Sequence, residues 1–491
     1  MTPEESTETR PQASSDIVSL DAVALSRALH ARALSCAEVL QAYLAQIDRL
    51  NPVVNAIVAL QDREELAALA TQRDNELARG ESRGPLHGFP QAPKDIMPVA
   101  GMVTTRGSPI FKGHVPAADA VVFERMRQGG AIFVGRTNSP EFGLGGHTYN
   151  PIYGTTRNAW VPSRSAGGSS GGAGVAVALN LLPVADGSDM MGSLRTPAAF
   201  NNVYGLRTSF GCVPHGPTDE VFWQQFSVAG PMARNIPDLA LLLSVQAGFD
   251  ARLPLTRRQE ARSTFALPPE RDLRGTRIGW LGDLGGHLPM EPGVLSTCVQ
   301  ALVHFETAGC TVDALVPRFD LEALWRAWID LRSFSVAGSN AALYRDPASK
   351  ALLKPEAVWE IERGLRLSGP DVFDAARVRS AWYQTLRALF ERYDFLVMPA
   401  AQVFPFQAEL DWPHEIDGRA MDSYHRWIQA VVPATMAGLP ALAAPAGFGP
   451  GGLPAGLQII GPAQADAAVL EIGHAYDQAS GFARLRSPLL G

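Results

Sequence analysis

Apolar and polar residues alternate along this chain in blocks that predict helices and short buried strands in turn. The second helix of the first block begins at Ser35, where Glu38 completes a capping box. Apolar residues recur at helical spacing over 17–50 (two helices), 60–78, 118–128, 172–180, 235–247, 292–308, 320–394 and 466–480. Short apolar runs predict strands at "AIFVGRTN", "LLPVADG", "TRIGWLG", "CTVDALV", "FLVMPA", "LPALAAPAG" and "LPAGLQIIG".

This alternation has no fixed period, which favours an α/β fold with one sheet covered by helices on both faces. A TIM barrel is the weaker alternative, because the helical block over 320–394 interrupts any regular strand–helix repeat. Residues 250–275 are rich in Arg and Pro, and we expect them to form a surface excursion.

Composition and charge narrow the class of protein. The 491 residues are 46% hydrophobic and 19% charged, as expected of a globular chain that buries a large core. A net charge of −7 without a basic stripe argues against binding of nucleic acid or an anionic membrane. The apolar runs are too short to span a bilayer, and the polar N-terminus lacks the features of a signal peptide.

The cysteines are few and scattered. Cys36, Cys212, Cys298 and Cys310 show no metal-binding spacing, so a zinc site is not expected. They indicate buried thiols in a reducing compartment, and we expect a cytoplasmic protein.

The Gly/Ser run "SAGGSSGGAG" at 165–174 allows three interpretations. A flexible linker fits poorly, because a helix and a strand follow at once. A phosphate-binding loop would need a following lysine, and the sequence has none between 113 and 349. As a nucleophile loop, the run matches G-x-S-x-G with Ser169, a scheme that needs a later carboxylate and a histidine. The candidate histidines are His414, His425 and His474.

Several longer motifs resemble the amidase signature family. These are "GFPQAPKD", "GRTNSPEFG", "GGSSGGAGVAVA", "GSDMMGSLRTPA", "GLRTS", "GPMAR" and "GLPAGLQIIG", in the family's order. The resemblance covers roughly residues 20–485. It implies a mixed, twisted sheet between two layers of helices, and the hydrolysis of a carbonyl C–N bond by a serine nucleophile, with no metal or organic cofactor.

The acidic, polar N-terminus predicts a disordered tail over 1–16, and the resemblance implies a single domain over 17–491. The domain would comprise N-terminal helices (17–80), a catalytic core (81–248), a variable helical region (249–394) and C-terminal strands with a helix (395–491).

The resemblance implies a catalytic triad of Lys94, Ser169 and Ser193. Ser193 matches the nucleophile, Ser169 the bridging serine that follows a cis peptide bond, and Lys94 the base. A lysine can act as a base only when burial lowers its pKa from about 10.4 towards 7–8, and arginine does not deprotonate in proteins. Asp95 would favour a charged lysine, but neighbours in an extended segment point to opposite faces, so we expect Asp95 to face away.

The loop around Ser193 would stabilise the oxyanion. The resemblance implies the backbone N–H groups of Met190, Met191, Gly192 and Ser193 as donors. Met191 stands where the family has glycine, and at a position of positive φ it would be strained.

Three further residues are assigned supporting roles. Ser170 is expected to hydrogen-bond near Lys94. Asp189 and Arg195 are expected to form an ion pair that braces the loop, with contact between Arg195 and an anionic substrate as the alternative.

The expected substrate is a small-molecule amide, with an aryl or bulky apolar amide favoured and a carbamate or an ester as alternatives. The candidates for an apolar substrate pocket are Phe222, Trp223, Phe226 and Trp427, each of which could equally be a core residue. Three other functions stay open: the glutaminase subunit of a tRNA-dependent amidotransferase, the G-x-S-x-G hydrolase, and a non-catalytic binding protein. We expect a monomer or a homodimer.

Overall fold

The computed structural model describes residues 14–216, 218–223, 225–258, 265 and 272–491. The α-helices in chain order are α1 (Ser14–Ser19), α2 (Ala22–His30), α3 (Cys36–Val54), α4 (Arg63–Ala78), α5 (Val121–Gln128), α6 (Gly171–Ala178), α7 (Arg195–Asn201), α8 (Ile236–Gln246), α9 (Val294–Ala301), α10 (Val303–Thr307), α11 (Leu321–Arg345), α12 (Pro347–Lys350), α13 (Pro355–Arg366), α14 (Gly369–Leu389), α15 (Val432–Ala437) and α16 (Asp466–Ser480).

The strands are short except in the central sheet. They are β1 (Ile57–Val58), β2 (Pro90–Gln91), β3 (Ile132–Phe133), β4 (Arg136–Thr137), β5 (Tyr149–Asn150), β6 (Gly154–Thr155), β7 (Ala185–Asp189), β8 (Tyr204–Arg207), β9 (Val228–Ala233), β10 (Arg277–Trp280), β11 (Thr311–Ala314), β12 (Phe395–Pro399), β13 (Glu415–Ile416), β14 (Arg419–Ala420), β15 (Ala441–Phe448) and β16 (Pro454–Ile460).

The central sheet has eight strands in the order β11-β10-β12-β16-β15-β8-β9-β7. The pairs that β10 makes with β11 and β12 are parallel, and the other pairs are antiparallel, so the sheet is mixed as expected. All residues of β16 and nearly all of β15 are buried. Because successive strand residues point to opposite faces, helices must cover both faces of the sheet. One hydrophobic core extends from Ile17 to Tyr476.

The segments that carry the predicted catalytic serines adjoin strand β7 and helices α6 and α7. Strand β7 lies at the sheet edge and pairs with β9, and the loop after it leads directly into α7. Helix α6 begins at Gly171, immediately after the two serines of the Gly/Ser run. The run is therefore a buried turn into a helix, and the linker interpretation is wrong.

The local predictions hold best where the pattern is long. Helix α3 begins with the predicted capping box, and the predicted strand pair forms β15 and β16. "AIFVGRTN" is instead divided into β3 and β4, and β8, β9 and α7 were not predicted.

The tail and the surface excursion lie partly outside the described residues. Of the predicted tail over 1–16, residues 1–13 lie outside, and residues 14–16 belong to α1. Of 250–275, residues 259–264 and 266–271 lie outside. Within the part of the chain that the structure describes, no helix combines the length and apolar character needed to cross a membrane.

Candidate active site

Lys94 lies at the centre of a cluster of serine hydroxyls. Its Nζ is 2.7 Å from Ser169 Oγ, 2.8 Å from Ser170 Oγ and 3.1 Å from Ser188 Oγ. Only 1% of Lys94 is exposed, and this burial lowers its pKa to about 7, although the charges of Asp186 and Asp189 act in the opposite direction. The amine is therefore substantially neutral near pH 7, which is the state a base requires.

The backbone of Lys94 is held by two side chains that sequence reasoning missed. The guanidinium of Arg136 donates to the carbonyl oxygens of Pro93, Lys94 and Met97. Asp186, on β7, accepts the backbone N–H of Lys94 at 3.2 Å, and its other carboxylate oxygen has no partner among the described residues. Burial raises the pKa of Asp186 to about 6.

Asp95 faces away from the amine, as predicted. Its carboxylate accepts from the backbone N–H and the hydroxyl of Thr105, and it lies 3.8 Å from Arg136. It therefore compensates Arg136 rather than Lys94.

The turn that carries Ser169 has no room for side chains at its glycines. The Gly168–Ser169 peptide bond is cis, as the resemblance implied. Gly167 has a φ of 72°, and a Cβ on Gly168 would lie 3.0 Å from the backbone of Gly146 and His147. The glycines thus allow the two serines to approach Lys94 through a tightly packed backbone.

The hydroxyl of Ser170 already has hydrogen-bond partners within the cluster. Ser170 Oγ lies 3.3 Å from the carbonyl oxygen of Ser188, which can accept its proton, so Ser170 accepts from the lysine amine. Ser169 Oγ has no other hydrogen-bond partner among the described residues, which leaves its proton free to point at the lone pair of Lys94.

Asp189 organises the loop that carries Ser193. Its carboxylate accepts from the backbone N–H groups of Gly192 and Leu194, from Nε and Nη2 of Arg195, and from Nη1 of Arg207. All of these groups are buried. Burial alone would raise the pKa of Asp189, but the two guanidinium groups, Arg195 first, hold it well below its usual range.

Arg195 is a structural residue. Beyond Asp189, its N–H groups donate to the carbonyl of Val431, the amide oxygen of Gln458 and the hydroxyl of Thr435. The side chain is fully buried, and each of its five N–H groups has an acceptor. The predicted ion pair is therefore present. Arg195 has no unpaired N–H group with which to bind an anionic substrate, which was the alternative role.

The structure narrows the set of oxyanion donors. The N–H of Gly192 donates to Asp189 at 2.9 Å, so Gly192 is withdrawn from the predicted set. The N–H groups of Met190, Met191 and Ser193 have no acceptor among the described residues. Ser193 Oγ likewise has no hydrogen-bond partner there.

The expected strain at Met191 is not present. The left-handed residue of the loop is Gly192, with a φ of 77°, and Met191 is not among the described residues with positive φ. A Cβ on Gly192 would lie 2.9 Å from Thr196 and Val431, so glycine is required at that position. The side chain of Met191 is buried instead.

A cavity of about 100 Å³ opens at these serines. Its apolar wall comprises Ile96, Phe142, Leu144, Met190, Met191 and Ile428, and its polar lining comprises Ser169, Ser188, Ser193, His215, Ser227, Arg332 and His425. Burial lowers the pKa of His215 to about 4 and that of His425 well below its usual range, so both rings are neutral near pH 7.

The four aromatic candidates do not line this cavity, which corrects the sequence prediction. Phe222 and Trp223 are 61% and 68% exposed. Phe226 packs edge-on against Trp328, and Trp427 is fully buried and donates to the backbone of Tyr424. Of the apolar side chains that form the cavity wall instead, Phe142, Met190 and Met191 lie within the motifs quoted above, and the others lie outside them.

The G-x-S-x-G scheme is not supported by the position of Ser169. The segment before Ser169 is not a strand, and the basic group beside its hydroxyl is Lys94. Of the candidate histidines, only His425 lines the cavity, while His414 is exposed and pairs with Asp411. No group of three or more potential metal ligands is found among the described residues.

The chain is similar to known amide-processing proteins over nearly its whole length. The sequence model of the Amidase family matches residues 38–470. An acylamidase from Rhodococcus erythropolis is 34% identical over 456 residues, which cover 92% of this chain and 93% of that protein. A glutamyl-tRNA(Gln) amidotransferase subunit from Acidothermus cellulolyticus is 33% identical, with 95% of each chain covered. The structure of a bacterial aryl acylamidase matches with a TM-score of 0.88 at 27% identity, covering 95% of this chain and 97% of that chain.

Proposed function

This chain belongs to the amidase signature family and hydrolyses amide C–N bonds, and from that premise we propose that Lys94, Ser169 and Ser193 form its catalytic triad. The observation that carries the proposal is the 2.7 Å contact between Lys94 Nζ and Ser169 Oγ, made by a buried lysine whose pKa is lowered to about 7.

In the proposed mechanism, the neutral amine of Lys94 takes the proton of Ser169 while Ser169 takes that of Ser193. The oxygen of Ser193 attacks the amide carbonyl, and the N–H groups of Met190, Met191 and Ser193 hold the resulting oxyanion. The proton returns through Ser169 to the leaving amine as the C–N bond breaks. Water then attacks the acyl group on Ser193 by the same proton path, which releases the acid and restores the enzyme.

The contact between the two serines is the part of the relay that the substrate completes. Catalytic hydrogen bonds are often formed only when the substrate is bound, and Ser193 lines the same cavity as Ser169. Placing a carbonyl carbon against Ser193 Oγ would leave its proton directed at Ser169.

We propose an N-acyl amide with a compact, largely apolar acyl group as the substrate. The cavity at Ser193 is smaller than the roughly 150 Å³ that holds a benzene ring in a protein core. An aryl amine would then extend from the open end of the cavity. The names of the acylamidase relative and of the aryl acylamidase structure support this substrate class.

The glutaminase of an amidotransferase is the second candidate, because the amidotransferase relative is similar over 95% of this chain. Glutamine carries an ammonium group that would need an acidic partner. No Asp or Glu is found among the described residues that line the cavity. The cavity therefore favours an apolar amide over glutamine.

The test is a panel of anilides, aliphatic amides, carbamates, esters and glutamine, with purified wild-type protein and Ser193→Ala. We expect hydrolysis of acetanilide or propionanilide and its loss in Ser193→Ala, with full activity in Ser296→Ala, an exposed serine on α9. Hydrolysis of glutamine but of no other amide would favour the glutaminase. Amide hydrolysis that survives in Ser193→Ala would contradict the proposed nucleophile.

We also propose a cytoplasmic location. Cys36, Cys212, Cys298 and Cys310 are all buried and none of them forms a disulfide, which suits a reducing compartment.

A further inference from the structure

Arg332, on α11, is the one charged side chain among the described residues that line the catalytic cavity. The histidines that share the lining, His215 and His425, are neutral near pH 7. The proposed mechanism gives Arg332 no role, although its side chain is only 5% exposed and reaches the reaction site.

Two neighbours fix the orientation of the guanidinium. Its Nε donates to Glu360 at 2.6 Å, and its Nη2 donates to the hydroxyl of Tyr424 at 2.9 Å. The same hydroxyl donates to Glu360, which closes a buried ring of three hydrogen-bonded side chains. The guanidinium carbon Cζ also lies 5.8 Å from the centre of the Trp328 ring. A planar group held along two edges presents its third edge in a fixed direction.

Glu360 neutralises the charge of this guanidinium. The carboxylate of Glu360 is fully buried and lies in direct contact with Arg332. Burial alone would lower the pKa of Arg332, but Glu360 and then Tyr424 outweigh it and raise that pKa, so the arginine stays charged. The pair as a whole therefore offers the cavity a strong hydrogen-bond donor without a net positive charge.

The remaining edge, Nη1, lacks a good acceptor. Its contact among the described residues is the thioether sulfur of Met190 at 3.8 Å, and such a sulfur is a weak acceptor. Met190 belongs to the loop whose N–H groups are proposed to hold the oxyanion. An acceptor bound at Nη1 would thus lie in the same cavity as Ser193, beside the loop that is proposed to hold the oxyanion.

We propose that Arg332 is a specificity-determining residue whose Nη1 donates a hydrogen bond to an uncharged oxygen of the substrate, such as an ether, hydroxyl or carbonyl oxygen near the scissile amide. This inference rests on the proposed function of the cavity. Arg332 thereby selects, among compact amides, those that carry a second oxygen. An all-hydrocarbon analogue would leave the buried N–H of Nη1 without an acceptor, which weakens its binding.

The test compares pairs of substrates of the same length, in which one member has an ether oxygen where the other has a CH₂ group. The position of that oxygen differs from pair to pair. Butyranilide is compared with methoxyacetanilide, and pentananilide with ethoxyacetanilide and 3-methoxypropionanilide. On the amine side, 4-ethylanilides are compared with 4-methoxyanilides. At one oxygen position we expect kcat/KM of the wild-type enzyme to exceed that of the hydrocarbon isostere by about 10- to 100-fold, as for a hydrogen bond to a charged donor.

The variant is Arg332→Gln combined with Glu360→Gln, since removing the arginine alone would leave a buried carboxylate unpaired. The matched control is Arg363→Gln with Asp330→Asn, an ion pair of 2.6 Å that joins the same helices, α11 and α13, outside the cavity lining. We expect the oxygen preference to fall to about one in the first double variant and to persist in the second. Single Arg332→Lys should retain only part of it, because lysine lacks the rigid planar edge.

The outcomes separate this inference from the proposed function. The proposed function would be contradicted if the wild-type protein hydrolysed no amide, or if amide hydrolysis continued in Ser193→Ala. Amide hydrolysis with less than about a threefold oxygen preference at every position would overturn the role of Arg332 alone. A preference for a carboxylate at the same position, tested with the hemianilide of succinic acid, would overturn the claim that the acceptor is uncharged.

Discussion

The two walls of the catalytic cavity differ in how the chain builds them. One wall carries the serines and comes from the turn at 167–170 and the segment 186–195, whose polar groups are held by Lys94, buried ion pairs and backbone contacts. The other wall comes from α11, the segment before α15 and the loop at 142–145, and most of its lining is apolar. We propose that the first wall carries out the reaction, and that the second wall, together with Met190 and Met191 of the first, determines which amide fits.

The largest expected effect is in the first wall, at the base. Lys94→Arg replaces the neutral amine by a guanidinium that stays charged, so we expect kcat to fall by about 10²–10⁴-fold, the range of a lost general base. The control is Lys112→Arg, an exposed lysine whose replacement should leave kcat unchanged. Turnover of an anilide by Lys94→Arg within tenfold of the wild type would remove Lys94 from the mechanism.

The next effect concerns the ion pairs that hold the loop of Ser193. Asp189→Asn leaves the buried charges of Arg195 and Arg207 uncompensated, so we expect the free energy of unfolding to fall by about 3–5 kcal/mol. The control is Asp313→Asn. Its partner Arg277 and Asp313 itself are half exposed, so this change should cost at most about 1 kcal/mol. Urea unfolding measures both, and equal losses would show that the two ion pairs do not differ as claimed.

Much of the first wall could be predicted from the sequence, because its residues occur in contiguous motifs. The serines, Lys94 and the pair of Asp189 with Arg195 all lie within such motifs. Asp186 was missed, since nothing in the spacing of β7 indicates that its carboxylate meets the backbone of Lys94. Met191 raised a concern about strain that the structure resolves, because the residue with positive φ is Gly192.

The second wall and parts of the sheet could not be predicted in this way. Arg332, Glu360 and Tyr424 come from separate elements, and only the tertiary fold brings them together. Strand β9 contains Pro231 and β8 contains Arg207, residues that normally argue against a central strand. Arg207 is tolerated there because Asp189 compensates its charge.

The pH dependence should reveal how Asp186 contributes to the first wall. The proposed mechanism requires Lys94 in its neutral form, so kcat/KM should fall about tenfold per pH unit below its pKa of about 7. The negative charge of Asp186 raises that pKa, so Asp186→Asn should move the acidic limb to lower pH while its side-chain oxygen still accepts the N–H of Lys94.

The charged groups near this pair are Asp189 and Arg136, which remain ionised, and His215, which stays neutral above about pH 5. A profile of kcat/KM from about pH 5 to pH 9 measures the limb. An acidic limb that stays in place or moves to higher pH in Asp186→Asn would contradict this assignment.

The smallest effect is expected outside both walls. Trp223→Ser alters an exposed ring whose contact is Phe334, so we expect kcat/KM to change by less than about threefold. Met190→Ala, which alters the cavity wall, should change the preference among acyl groups clearly more. A larger change from Trp223→Ser than from Met190→Ala would indicate that the exposed aromatic residues do contact the substrate.

The most direct test is to identify which serine a reagent that labels nucleophilic serines modifies. The enzyme is treated with a fluorophosphonate at about pH 8, where Lys94 is mostly neutral, and the modified peptide is sequenced by mass spectrometry. The account predicts one adduct, on Ser193, that forms more slowly in Ser169→Ala and not at all in Ser193→Ala. An adduct on Ser169 that forms at the wild-type rate in Ser193→Ala would contradict it.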